Sequence, residues 1–401
     1  MKLKTGFLLL LLLAAGFTAF GADFGLVLGI TPEYGTINDD AGDFVFTGTM
    51  TPWISGVLQE GLSYYASGRL TAEYEDGEMD PLLFEVERTE LTWRPLSRAY
   101  VSFGRQPVKD SAEMIVSGLF DGVNGAFLFD KARLSLGVYY TGLLYKESAA
   151  ILLTKQDYDN YHKSLDYGDG DSYSASRRFL FAVTGEFPDL TSRTFLALNG
   201  LAQFDLNGQD SLHSQYLLGH YFFTPIEPLT LNLAASVEFI EEQDLQLGFA
   251  VSGGADWEPP SALQDMLSAR IRWSSGATSD FLGAFLPLNG ISQGEIFTPR
   301  ISALMSLNGS YTVRLHSEVS AAAGAAYFIR TDRETYFNAD LDPGSSSPFL
   351  GAELYASAAW APESAIRLTL EGGAFFPGLG GAFYQDTPVQ WKISTGITLS
   401  L

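Results

Sequence analysis

The chain has 401 residues, no cysteine, and a formal net charge of −23 from 24 basic and 47 acidic side chains. So acidic a chain repels phosphate backbones, which excludes a nucleic-acid partner; without thiols there is no disulfide framework, no thiolate metal site and no lipidated cysteine. Gly (41), Phe (29) and Tyr (19) are abundant, a composition expected of a barrel with aromatic girdles at two membrane interfaces.

Lys2 and Lys4 precede an unbroken apolar run from Phe7 to Ala15. The run is shorter than the roughly 20 residues a spanning helix needs, so it reads as a secretory leader. Ala19-Phe20-Gly21 offers small residues where a signal peptidase cuts, which predicts a leader over 1–21 and a mature domain over 22–401. No second long apolar run follows, so a helical membrane protein is excluded by length.

From Phe24 to Leu401 the pattern has period two. Leu229, Leu231, Leu233, Ala235, Val237 and Phe239 alternate with Thr230, Asn232, Ala234, Ser236 and Glu238, and Trp391 to Leu401 does the same. Each such segment meets an apolar medium with one face and a wet interior with the other. Segments of this kind begin near Phe24, Phe44, Tyr64, Leu82, Ala99, Val123, Arg133, Arg178, Arg193, His213, Leu229, Leu245, Leu267, Arg300, Thr312, Phe349, Ala365 and Val389. The fold class is therefore all-β: one closed antiparallel transmembrane barrel of about 18 strands (about 16–18), with short periplasmic turns and long extracellular loops.

The connections alternate in kind. Short ones are Arg94–Ser97, Asp130–Ala132, Pro188–Leu190, Pro225–Pro228, Asn308-Gly309-Ser310 and Pro362–Ser364; long ones are Gln106–Asp121, Glu147–Ala175, Gly276–Thr298, Thr331–Pro348 and Pro377–Thr387. Proline falls in turns, in loops or at strand ends, as a closed ladder requires; Pro32 and Pro52 fit least well. Leu82–Arg94 changes phase between Val86 and Leu91, which predicts a bulge. Gln106–Asp121 is too apolar for an outer loop in water and is expected inside the pore. Ser111–Leu119 within it is the candidate helical plug.

Gly104-Arg105-Gln106-Pro107, Ser117-Gly118-Leu119-Phe120-Asp121-Gly122, Gly351-Ala352-Glu353-Leu354 and Gly372-Gly373-Ala374-Phe375-Phe376-Pro377-Gly378 resemble segments of the alginate-export-like outer-membrane porins. The resemblance runs along most of the barrel. It implies a lumen carrying fixed charge, through which an anionic or neutral solute such as a saccharide diffuses.

The predicted inward face mixes Arg69, Arg105, Arg270, Arg272, Arg314 and Arg367 with Glu73, Glu238, Glu318, Glu353 and Glu371. Guanidinium groups fork carboxylates and phosphates, and a narrow lumen strengthens their field. The pore-lining, solute-binding set is accordingly Arg69, Arg105, Arg270, Arg272, Arg314, Arg367, Glu353 and Glu371. The competing reading is a structural ladder, with Arg367 paired to Glu371 and Arg314 to Glu318.

Asp157, Asp159, Asp166, Asp169 and Asp171 crowd the loop Glu147–Ala175, but their spacing departs from a calcium loop and the closing Glu is absent, so a solvated acidic loop is expected. Asp39-Asp40, Glu75-Asp76 and Glu241-Glu242 make the outer rim acidic too. His162, His213, His220 and His316 sit in no hydrolase motif. No enzyme, metal or cofactor is expected. The sequence reads as an outer-membrane channel of a diderm bacterium for small hydrophilic, anionic or saccharide solutes. Its other partners are outer-membrane lipid and, during biogenesis, periplasmic chaperones and the barrel-assembly machinery. The alternative is a closed barrel that acts as a surface-binding adhesin.

Overall fold

The computed structural model describes residues 22–36, 42–75, 77–208, 211–242, 244–278, 281–336 and 338–401. The leader over 1–21, and Asp39, Asp40 and Asp76 of the acidic rim, lie outside them. Eighteen strands form one sheet: β1 Ala22–Gly35, β2 Asp43–Gln59, β3 Leu62–Glu75, β4 Leu83–Leu96, β5 Ala99–Lys109, β6 Ser117–Leu128, β7 Arg133–Tyr140, β8 Arg178–Pro188, β9 Thr194–Asp205, β10 His213–Ile226, β11 Leu229–Glu241, β12 Leu245–Trp257, β13 Met266–Ser274, β14 Leu304–His316, β15 Val319–Arg330, β16 Phe349–Glu363, β17 Ile366–Phe376 and β18 Gln390–Ser400. A two-residue segment, Glu78–Met79, adds to the end of β3. Every strand pairs antiparallel with its sequence neighbours, and β18 returns to β1 with Val27 opposite Ser400. The barrel is closed.

Burial runs opposite to that of a water-soluble domain. On β11, Leu231 and Leu233 are exposed while Asn232, Ala234, Ser236 and Glu238 are buried. The apolar face therefore points outward, as hydrocarbon contact requires, and the polar face points into the lumen. Short turns and long loops fall mostly on opposite rims: one rim carries connections such as 60–61, 97–98, 227–228 and 364–365, and the other carries 110–116, 141–177, 275–303, 331–348 and 377–389, with the short 242–244 as an exception. Among the described residues no helix is long and apolar enough to cross a membrane.

The expected bulge is present, since the β3–β4 register shifts between Ala66 and Gly68 opposite Val86–Thr89. Pro32 and Pro52 do lie inside strands, in register across β1–β2, and the ladder on the other side skips each of them: β1–β18 pairing jumps from Ile30 to Glu33, and β2–β3 pairing from Met50 to Trp53. Two sequence readings are corrected. Asn308-Gly309-Ser310 is no turn, because β14 runs through it and turns at Ser317-Glu318. Ser111–Leu119 is no helix; it is a bent segment that becomes β6 at Ser117.

Candidate functional site

Three long-rim connections fold into the lumen. The 110–116 loop is wound about one carboxylate: Asp110 accepts from the backbone N–H groups of Ala112, Met114, Ile115 and Val116. This places Met114, Ile115 and Val116 in the barrel interior, fully buried. The loop then reaches far strands. Asn199 of β9 donates to Ser111 Oγ at 2.7 Å, His220 of β10 meets the Ser111 carbonyl at 2.6 Å, and Arg272 of β13 donates to the Ala112 carbonyl at 3.3 Å. The inward course expected for Gln106–Asp121 is thus observed for its 110–116 part.

The 275–303 loop packs on it. Leu288 N donates to Ile115 O at 2.8 Å, and the Asn289 side chain exchanges hydrogen bonds with the Ser117 backbone at 3.1 and 2.6 Å. Two buried carboxylates of the wall anchor the same loop. Glu238 of β11 accepts from Leu286 N at 2.6 Å; Glu353 of β16 accepts from Glu295 N, Ile296 N and Phe297 N at 2.8, 3.1 and 3.0 Å. Phe297 stacks on Phe375 with centroids 4.3 Å apart.

The 141–177 loop carries α1 Lys146–Ala149, α2 Lys155–Tyr161 and α3 Gly170–Tyr173. Thr154 and Asp157 form a reciprocal capping box at the start of α2, the arrangement that fixes a helix N-terminus. Asp157 is also buried against Arg178 of β8 at 2.7 Å, and Arg178 pairs with Asp205 of β9 at 3.0 Å. Asp157 is therefore a lock on the wall, not a solvated loop acid. Asp169 pairs with Lys163 at 2.5 Å, and no metal-binding group occurs among the described residues. Arg300 ties this loop to the 275–303 loop through Leu152 O at 3.2 Å. Together the loops and inward side chains of β6–β12 make an apolar core that includes Phe120, Tyr139, Leu180, Tyr216, Phe285 and Leu288. A core of this kind excludes water from the space it fills.

Two polar cavities lie along the wall from β13 to β17. Arg270 and Arg272 project from β13 into a cavity of about 280 Å³ that also meets Gln293 and Glu295 of the 275–303 loop, Asn308 of β14 and Tyr355 of β16. Arg272 donates to Gln293 Oε1 at 3.0 Å and to Ala112 O, so it joins both constricting loops. Arg270 is exposed and, among the described residues, has no ion-pair or hydrogen-bond partner. Nearer the short-turn rim, Arg314, Arg367, Glu318 and Glu371 line a wider cavity of about 490 Å³ whose wall is mostly Ser, Thr and Ala. The pairs expected of a structural ladder do not form among the described residues: Arg314 donates to Ser317 O at 2.8 Å, and neither Arg367 nor Glu371 has an ion-pair partner.

Of the remaining site residues, Arg69 stays exposed, whereas Arg105 and Glu353 are buried. Arg69 pairs with Glu87. Arg105 is buried, bonded to Asp121 and to the carbonyls of Val86 and Leu143. Glu353 has 0% exposure beneath the loop it holds. Arg105 and Glu353 are thereby removed from the surface a solute can touch, which corrects their placement in the pore-lining set.

No protein-family model and no curated protein matches the chain. Solved structures do. Pseudomonas aeruginosa OccK5 (OpdH) superposes with a TM-score of 0.64 at 10% identity over 95% of this chain and 98% of that one. The outer membrane protein OpdK of the same organism gives 0.62 at 11% identity over 95% and 99%. OccK2 (OpdF), solved in complex with glucuronate, gives 0.61 at 11% identity over 95% and 98%. The chain has their barrel fold. Its own arginines, loops and locks are described by the contacts above, because identity this low carries no residue correspondence.

Asp110, Arg178, Asp205 and Asn289 escaped the sequence reading as site residues. Thr154-x-x-Asp157 was a legible signal, being a capping box that announces a helix inside the loop. Asp110 binds backbone N–H groups of its own loop, Asp205 meets Arg178 on the adjacent strand, and Asn289 meets Ser117 far away in sequence.

Proposed function

We propose that the protein is an outer-membrane channel through which small hydrophilic solutes, anionic ones favoured, diffuse passively. The observation that carries this is Arg270, an unpaired guanidinium on the lumen wall beside the constriction. Fixed charge at a narrow point selects permeating ions at short range. The glucuronate held by OpdF is a sugar carboxylate, the class of solute that the guanidinium of Arg270 can fork. The likeness to alginate-export-like porins supports the same class. Two histidines of the barrel wall hold neighbouring structure: His213 Nδ1 accepts from Asp205 N at 3.0 Å, and His220 Nδ1 meets the Ser111 carbonyl at 2.6 Å.

On this reading residues 1–21 are a cleaved leader, lipid surrounds the exposed apolar face, and chaperones with the assembly machinery deliver the chain. The test is single-channel recording in planar bilayers with a salt gradient and added glucuronate. Anion-biased reversal potentials and block by glucuronate are expected. A folded barrel that does not conduct would favour the adhesin alternative, which the apolar core beside β6–β12 also suits.

A further inference from the structure

The ladder between β4 and β5 is incomplete. It runs from Leu96 opposite Ala99 to Thr89 opposite Arg105 and stops there. Yet β4 continues to Leu83 against β3, and β5 continues to Lys109 against β6. Toward the long-loop rim, two strand edges therefore face each other unpaired. Such an edge is costly in a membrane wall, where hydrocarbon offers N–H and C=O groups no partner.

Side chains satisfy the β4 edge one residue after another. Tyr167 Oη donates to Leu82 O at 2.7 Å and accepts from Phe84 N at 3.0 Å; Tyr173 Oη donates to Phe84 O at 3.2 Å; Arg105 donates to Val86 O. Leu82, Phe84 and Val86 are alternate residues, so these groups leave the same edge. Gly104, at φ 106°, supplies a left-handed kink where the pairing ends, and Pro107 has no N–H to leave unpaired. Tyr145 packs on Tyr173 at 5.1 Å, and Ser148 donates to Glu85 at 2.9 Å. Over this stretch the 141–177 loop, not a strand, closes the wall.

We infer that this seam is a lateral gate, latched by the Tyr167 and Tyr173 phenols, that admits an amphipathic molecule between the surrounding lipid and the vestibule behind it. The inference rests on the barrel being embedded in a membrane. Outside the seam stand Phe84 and Leu143, 57% and 62% exposed. Inside lies a cavity of about 390 Å³ lined by Leu83, Tyr145 and Leu165 together with Glu73, Glu147 and Lys163. Apolar and charged residues share this lining, which suits a molecule with an apolar tail and a polar head. A few side-chain hydrogen bonds on one loop hold the latch, and movement of that loop releases them together.

The chain has no cysteine, so Leu165→Cys accepts a single bimane label in the full-length barrel. In bilayers of brominated-chain phosphatidylcholine, the label in the otherwise wild-type barrel should be quenched little. Y167F/Y173F removes the three phenol hydrogen bonds and keeps both rings, which raises the open fraction roughly tenfold or more and should raise quenching severalfold. A label at Glu295→Cys, away from the seam, should stay unquenched in both backgrounds. No rise at position 165, or an equal rise at 295, overturns the gate. Should the double variant fail to fold, Y173F must give a smaller rise at 165, and its absence overturns the gate equally. Conductance of the same preparations separates the two readings: a barrel that never conducts but shows lipid quenching at 165 refutes the channel and keeps the gate, whereas a conducting barrel without that quenching does the reverse.

Discussion

Glu353→Ala should loosen the constriction without opening the barrel. The carboxylate accepts three backbone N–H groups of the 275–303 loop, from Glu295, Ile296 and Phe297. Hydrogen bonds to a charged group contribute about 1.5–3 kcal/mol each, but the full sum overstates the loss, because removing Glu353 also removes a buried charge with its desolvation cost. A net loss near 2–4 kcal/mol from the docked loop follows, a shift of roughly 30- to 1,000-fold in its docking equilibrium. Glu353→Gln should fall between, since its amide keeps one accepting oxygen and presents N–H donors to the remaining N–H groups. The ladder around position 353 is made by backbone atoms, so heat-modifiable migration should persist in both. Single-channel recording is the assay: Glu353→Ala should show larger conductance and more open-state noise, Glu353→Gln less of each. Wild-type conductance and noise in a heat-modifiable Glu353→Ala barrel would refute the anchor.

Arg270→Glu should move the reversal potential toward cations with little structural change, whereas Arg272→Glu should also raise conductance because Arg272 holds both constricting loops; equal behaviour of the two would contradict the division of roles. Ile271→Arg turns a charge to hydrocarbon at about 2–4 kcal/mol near the midplane, so heat-modifiability should show impaired insertion with unaltered selectivity in whatever inserts. Asp110→Ala unties four N–H groups of the 110–116 loop and should speed proteolysis there and enlarge the channel. Asp265, in a short-rim turn, has its carboxyl held below the usual range by the Ser261 hydroxyl and, with it, the Tyr311 phenol. Its stabilisation is present above the ordinary carboxylate pKa and disappears as pH falls through the lowered value, so Asp265→Asn should reduce thermal stability at neutral pH and not in strong acid.

The barrel was legible because period two, proline placement and alternating connection lengths each follow from backbone physics that a closed membrane sheet cannot evade. The misplaced turn at Asn308-Gly309-Ser310 shows the limit. Asn, Gly and Ser mark turns in water-soluble proteins, but Asn308 and Ser310 line the wet cavity beside Arg270, where small polar residues serve a lumen wall equally well. Inward position was readable for Arg105 and Glu353; what covers them was not. Their partners come from loops distant in sequence, such as Leu143 and the 295–297 turn. Arg178 read only as the start of a strand for the same reason, since Asp157 and Asp205 reach it from a loop helix and a neighbouring strand.

The closing contact between β1 and β18 also bears on the order of assembly. Of the eighteen strand pairs in the ring, seventeen join sequence neighbours and one joins Val27 to Ser400. Hairpins can therefore accrete one at a time along the chain, each bringing its two strands together over a short stretch. Only the last event is long-range. Its entropic cost grows slowly, by about 0.6 kcal/mol per doubling of length, and growth of the intervening sheet shrinks the distance left to search. Until that event, both free edges remain open to wrong partners. The molecule's greatest vulnerability thus falls at the end of its biogenesis, when nearly all its ladders are made and the ring is still a ribbon.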